Sequence, residues 1–269
     1  MLGIDIGRVP LPAYSAPLTR AGLRARERQW CQFVLDRLRE RLGPRGTLLV
    51  PAYSYSCGAP GSTFDTASTP SEVGPFTEFM RGQANAVRSA HPLFSLAGEG
   101  ADAPGLLEQC GRSAFGAASP FGRFAEFGVR FLCLGAELRH CITYVHHLEQ
   151  CYGCVHRYHK AFDVTVVDAG RVVEGPWSAY VGYRGLGYTS DLSALQEGLR
   201  SANCLREVEW RGRVNHLADI GDVDRVGYDL LVKDGSAFVD RRVALRFDEV
   251  ESSSQVRLDL QIHASFDKR

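Results

Sequence analysis

Between Ala21 and Arg41 the residues Leu23, Trp30, Phe33, Val34, Leu35 and Leu38, with Leu42 just beyond, return at helical spacing among Arg, Glu and Gln. That spacing predicts a long amphipathic helix, and Gly43-Pro44 marks its end. Thr47 to Pro51 and Arg130 to Leu134 are short continuous apolar runs, which predict buried strands. Each is followed by polar, loop-like sequence, and sites gather at such strand ends in α/β sheets. Ala52 to Phe76 is rich in Ser, Thr, Gly, Pro and Tyr and predicts a long ordered loop, of the kind that in compact domains tends to carry function. From Phe162 onward the texture turns to strands: Asp163 to Val167, Arg206 to Val214, Tyr228 to Val232, and Gln255 to His263. In the last of these, Val256, Leu258, Leu260 and Ile262 alternate with polar residues. The pattern is that of an α/β chain, expected to form one domain over residues 1–269 with a strand-rich part from about 163.

Composition narrows the class. With 269 residues and 45% hydrophobic content the chain buries a large core, and no break in composition forces a division. Lys and Arg (31) balance Asp and Glu (31), so there is no basic field for a nucleic-acid backbone. The opening Met1 to Gly7 has no charged start and no apolar core of a secretory signal. No apolar run approaches the roughly 18 residues of a membrane span. The expectation is a cytoplasmic protein with no membrane partner, its eight cysteines present as thiols. No G-x-x-x-x-G-K-[ST] loop and no strand-borne G-x-G-x-x-G is present, which removes nucleotide readings based on them.

Two dense segments carry the chemistry: R-S-A-H-P-L-F-S-L-A, Arg88 to Ala97, and T-Y-V-H-H-L-E, Thr143 to Glu149. Around them stand Gly46 to Pro51, Phe64-Asp65 with Thr69-Pro70-Ser71 and Gly74, and Ser119 to Arg123 leading into Val129 to Gly135. Five such elements in this order, from about Gly43 to Asp163, resemble the aminoglycoside 3-N-acetyltransferase (antibiotic N-acetyltransferase) family. The resemblance implies a mixed central sheet flanked by helices. It also implies direct acyl transfer to an amine, with acetyl-CoA or another acyl-CoA as co-substrate and no metal.

Acyl transfer from a thioester to an amine needs the amine neutral, whereas an alkyl amine is mostly protonated near pH 7. A general base must take the proton, and histidine, with an unperturbed pKa of about 6.5, matches the task. His146 is the expected base. If Thr143 caps a helix here, His146 and Glu149, three apart, share a face, and the carboxylate can hold the imidazole tautomer. The competing reading makes them a surface ion pair. His147 points about 100° away around such a helix and is expected to be structural, although a shift of register would exchange the two. Tyr53, Ser54, Tyr55 and Ser56, with Asp65, His91, Ser95 and Thr143, are expected to line the donor or acceptor channel. His91, made extended by Pro92, either donates a hydrogen bond to the thioester carbonyl or is a satisfied imidazole in a rigid turn.

The rival of another class is a zinc-stabilised binding module built on Cys151-x-x-Cys154 with His156 and His159, Cys141 and His140 lying nearby. Its spacing is poor, because only Val155 separates the cysteine pair from the first histidine. Cys57 as a nucleophile is disfavoured because the resemblance implies direct transfer.

The chain also departs from the family. It opens at Leu2-Gly3-Ile4-Asp5-Ile6-Gly7-Arg8 where the family has a preceding helix. Ala52 to Ser56 replaces the family's T-F, and Asn215-His216 stands where glycine is usual. These changes bear on the acceptor pocket more than on the reaction, and a catalytically silent relative is a further alternative. Neutral net charge is weak evidence against a polycationic aminoglycoside acceptor. The expected partner is therefore a small-molecule amine on a singly aminated sugar, nucleotide-linked or not, with an aminoglycoside as the alternative. Acyl chain length and oligomeric state stay open.

Overall fold

The computed structural model describes residues 1–5, 8, 20–183, 189–210 and 212–240. Its elements in chain order begin with β1 (Leu2–Ile4), α1 (Arg20–Leu42), β2 (Thr47–Pro51), β3 (Ser62–Asp65), α2 (Pro75–Arg81), β4 (Val87–Arg88) and β5 (Leu96–Gly100). There follow α3 (Ala103–Leu107), α4 (Pro120–Arg123), β6 (Arg130–Leu134), α5 (Leu138–Cys141) and α6 (Val145–Tyr152). The remainder is β7 (Arg157–Phe162), β8 (Val164–Asp168), β9 (Arg171–Val173), β10 (Trp177–Gly182), α7 (Ser193–Ser201), β11 (Leu205–Trp210), β12 (Arg213–Asp219) and α8 (Ile220–Lys233).

The architecture is mixed α/β, with the strands grouped into several sheets. One has the order β1-β6-β12-β11, in which β1 runs parallel to β6 and the other neighbours are antiparallel. A second, β2-β5-β4, is antiparallel throughout. The third, β3-β8-β9, joins β3 to β8 in parallel, and β7 pairs antiparallel with β10. α1 buries Trp30, Cys31, Val34 and Leu35, two pairs four apart, against Leu48, Val50, Phe76 and Met80. Phe131 and Cys133 of β6 face the larger core with Tyr144, Leu148, Val223 and Leu231. Gly98 of β5 lies so close to β2 that a Cβ there would sit 2.5 Å from Leu49 Cδ2 and 2.6 Å from the Leu48 carbonyl.

Some expectations change. Tyr228 to Val232 is not a strand but the last part of α8. The buried positions there are Ile220, Val223, Val226, Gly227 and Leu231, a helical period, while Tyr228 and Val232 are exposed. Arg206 to Val214 is not one strand but the two arms of the β11–β12 hairpin, turned at Gly212 with φ +73°. Within the long loop predicted over Ala52 to Phe76, a short 3₁₀ turn at Tyr55–Gly58 and the strand β3 are formed. Gln255 to His263 lies outside the described residues. Among the described residues no helix is long and apolar enough to cross a membrane.

Candidate active site

The site forms where the chain leaves β2 and β6. Beyond β6, α6 starts at Val145 without a side-chain cap: Thr143 contributes only its carbonyl, which accepts from the His146 amide at 3.0 Å, so the expected hydroxyl cap is absent. The helix ends at Gly153, whose φ of +83° is the left-handed conformation that glycine adopts without strain. The amides of Gly153 and Cys154 both return to the Glu149 carbonyl, at 2.9 and 3.1 Å. This reversal brings His156 and Arg157 back against the side chain of Glu149.

Glu149 is fully buried, so it is not one half of a surface pair. Its Oε2 lies 2.8 Å from Nδ1 of His146 and 2.8 Å from Nε of Arg157, and its Oε1 lies 3.1 Å from Nε2 of His156. Burial opposes ionisation of this carboxyl, but the hydrogen bonds from the two histidines and the charge of Arg157 outweigh it and hold the group well below the usual carboxylate range. His146 keeps 23% of its side chain accessible, so the imidazole stands between a buried anion and the outside. Burial, and after it the Arg157 guanidinium, hold the imidazole below its ordinary pKa against the pull of Glu149. At neutral pH the ring is therefore uncharged and able to accept a proton. Nδ1 faces both Oε2 of Glu149 and Nη2 of Arg157 at 2.8 Å; in the tautomer whose Nδ1–H donates to the carboxylate, the lone pair is on Nε2.

His147 is turned to the other side of α6. Its Nδ1 donates to the Phe115 carbonyl at 2.7 Å, its ring rests on Tyr144 at 5.2 Å, and Cys151 Sγ lies 3.6 Å from Nε2.

Aromatic rings connect the two chain segments. Phe115 meets His146 edge-on at 5.3 Å and Phe94 at 4.9 Å, and Phe94 in turn meets Tyr53 at 5.5 Å and Tyr55 at 6.1 Å. Tyr53 and Tyr55 from the loop after β2, together with Thr143, line a pocket of about 700 Å³ that also carries Asp5, Glu27 and Glu137. Burial pushes the Tyr53 phenol up, partly offset by the neighbouring Thr143 side chain.

The other expected channel residues are engaged elsewhere. His91 is buried: its Nε2–H donates to the Ser178 carbonyl at 3.0 Å, and its Nδ1 accepts from the amides of Leu93 and Phe94 at 3.2 and 3.1 Å. No N–H remains for a thioester carbonyl, and the satisfied-turn alternative describes it. Ser54 and Ser95 belong to a network around Arg88, whose guanidinium lies over the Phe64 ring at 4.6 Å. Arg88 donates to Ser95 Oγ, Ser54 Oγ and the carbonyls of Ala52 and Thr69, and so ties the loop after β2 to β4. Ser56 bonds Glu72, and Asp65 accepts from the Ala67 amide within its own turn.

The proposed zinc ligands do not converge. Cys151 lies by His147, Cys154 is buried, His156 is on Glu149, and His159 rests on Tyr180 at 4.9 Å. Among the described residues no three metal-ligating side chains form a site. The eight cysteines are free thiols, and burial pushes that of Cys57 up, away from the thiolate a nucleophile needs.

Sequence reasoning missed Phe94, Phe115, Arg157 and the true setting of His156. The available signal was Gly153, a helix-ending glycine four residues after Glu149 that sends the chain back over the helix.

The family model described as aminoglycoside 3-N-acetyltransferase matches residues 24–231. No curated protein sequence matches the chain. Among solved structures, aminoglycoside acetyltransferase AAC(3)-IIb is similar with a TM-score of 0.65 at 21% identity, over 87% of this chain and 89% of that one. Aminoglycoside acetyltransferase AAC(3)-Xa is similar with a TM-score of 0.63 at 26% identity, over 75% and 80%. AAC-IIIb, solved as a binary complex with CoASH, gives a TM-score of 0.62 at 20% identity, over 76% and 83%.

Proposed function

Since the chain belongs to the aminoglycoside 3-N-acetyltransferase family, whose members are acyl-CoA-dependent N-acyltransferases, we propose that it transfers an acyl group, acetyl first among candidates, from coenzyme A directly to the amine of a sugar-type acceptor. His146 is the general base and Glu149 its orienting partner. The acceptor nitrogen attacks the thioester carbon while its proton passes to Nε2 of His146. The C–N bond forms, the C–S bond breaks, and the leaving thiolate takes the proton from the imidazolium. Nδ1 stays on Glu149 throughout, so one tautomer serves both half-steps.

The observation that carries this reading is the 2.8 Å contact of His146 with a fully buried, ionised Glu149, while the ring itself stays accessible. The tyrosines Tyr53 and Tyr55, on the pocket shared with Thr143, suit the flat face of a sugar. His146→Gln is expected to lower kcat by roughly 10²-fold or more, the usual size of general-base catalysis, with coenzyme A affinity little changed. His147→Gln is expected to leave kcat within a few-fold. Equal, mild losses in both would remove the assignment.

A singly aminated sugar, free or nucleotide-linked, is the preferred acceptor because the chain has no net charge to concentrate polycations. A polyaminated aminoglycoside is the second reading, favoured by Asp5, Glu27 and Glu137 on the pocket, against which stands Arg8, itself paired with Asp5 at 3.0 Å. Turnover of both acceptor classes as salt rises past about 0.15 M separates them, since several screened ion pairs make polycation recognition strongly salt-sensitive.

A further inference from the structure

A carboxylate in contact with a histidine ordinarily raises the ring's affinity for a proton. A base held in that way carries a proton for more of the time near neutral pH and is less available to accept one. The site described above has a second charge at the same ring nitrogen. Nη2 of Arg157 lies 2.8 Å from Nδ1 of His146 while Nε of the same guanidinium lies 2.8 Å from Oε2 of Glu149. Its third nitrogen, Nη1, donates to the Tyr180 carbonyl at 3.0 Å, and the side chain is 4% exposed, so the group is fixed from β10 and cannot swing aside.

We propose that Arg157 is a positioning residue for His146: wedged between the carboxylate and the imidazole, it cancels the charge of Glu149 and keeps the ring in its neutral, proton-accepting form.

Among the described residues, the ionisable groups that face His146 are Glu149 on its own helix, His156 in the turn before β7, and Arg157 at the start of β7. Glu149 and Arg157 together are neutral. A proton added to His146 therefore leaves a net positive charge in a largely buried cluster, which the low-dielectric surroundings disfavour. The same arrangement makes the imidazolium formed during the reaction short-lived, because it passes its proton on readily to the departing thiolate. Arginine suits the place for a second reason: its planar fork reaches both partners at once, which a single ammonium does not.

The inference rests on the reading of His146 as the base, and the two are tested apart. His146 is followed by NMR titration in the wild-type protein, its signals assigned with His146→Gln, and the pH profile of kcat/KM is recorded with acetyl-CoA and an aminosugar. In the wild type, the ring is expected to gain its proton below its ordinary pH of about 6.5; protonation at or above that value overturns the proposal without need of any variant. In Arg157→Gln, both the titration of His146 and the acidic limb of the profile are expected to move up by about one pH unit or more, the usual effect of losing a contacting like charge. Arg157→Lys is expected to restore the wild-type limb in large part while kcat stays reduced. A folded Arg157→Gln protein whose titration and limb stay at the wild-type position shows that Arg157 only supports the fold. If His146→Gln keeps its activity, the base assignment fails, yet the titration still reports whether Arg157 controls the ring.

Discussion

His91 is the histidine whose structural role can be tested most directly. It is buried, its three polar contacts are all to backbone, and burial, offset only in part by the Ser178 carbonyl, lowers its pKa from the ordinary 6.5 to about 4. Below pH 6.5 the unfolded chain takes a proton at this position that the folded chain refuses. The contribution of the neutral ring is therefore complete above about pH 6.5 and is lost progressively as the pH falls toward 4. The slope is about 1.4 kcal/mol per pH unit, or roughly 3 kcal/mol over the whole window. His91→Asn keeps an acceptor near Nδ1 for the amides of Leu93 and Phe94, loses the bond to Ser178, and does not titrate. It should cost about 1–3 kcal/mol at pH 7.5 for the carbonyl left without its donor. Urea unfolding of both proteins from pH 7.5 to 5, followed by the fluorescence of Trp177, whose ring lies 5.9 Å from His91, measures the difference. The gap between the two should narrow by about 2 kcal/mol at pH 5, and kcat of the variant should stay within a few-fold of wild type. Parallel stability curves would show that the ring is not the buried neutral group described, and a kcat loss of about 10²-fold or more would return His91 to the thioester carbonyl.

Three further outcomes follow from the packing. Glu149→Gln leaves the Arg157 guanidinium buried without its anion, and should cost about 3 kcal/mol or more and lower Tm by on the order of 10 °C in a thermal melt; a loss under about 1 kcal/mol would mean that the cluster is hydrated. Arg88→Met removes the donors to Ser54, Ser95 and the carbonyls of Ala52 and Thr69, and should cost about 2–4 kcal/mol in urea unfolding and raise KM, since the loop carrying Tyr53 and Tyr55 is freed. Gly98→Ala forces a Cβ against Leu49 and the β2 backbone, and should cost about 1–3 kcal/mol; an unchanged melting curve would show that β2 and β5 separate easily.

The pairing of His146 with Glu149 was legible because it is local: two residues three apart on a helix meet wherever that helix forms. The strands β2 and β6 were legible for a similar reason, each being an apolar run too short for a helix and bounded by turn residues. Tyr228 to Val232 misled because five apolar-rich residues fit either period, and only the longer run from Ile220 shows that the buried positions recur every three or four. The Arg206 to Val214 segment reads as one strand because its texture is strand-like on both sides of Gly212, whereas Gly212, with φ +73°, is the turn between two strands.

By itself the sequence determined the family, the reaction class that goes with it, and the helix that carries His146. It could not say that Glu149 is wholly buried, because burial depends on what the rest of the chain lays over that helix. Nor could it show that His156 and Arg157 reach the same carboxylate, a contact made by the left-handed turn at Gly153 and the pairing of β7 with β10. His91 and His146 are the same residue type in equally dense motifs. Tertiary contacts alone separated them, giving one ring three backbone partners and no exposure, and leaving the other between an ion pair and solvent. The free energy that tunes a proton acceptor comes from desolvation and from charges a few ångströms away, and both are properties of the folded neighbourhood that no local spacing encodes.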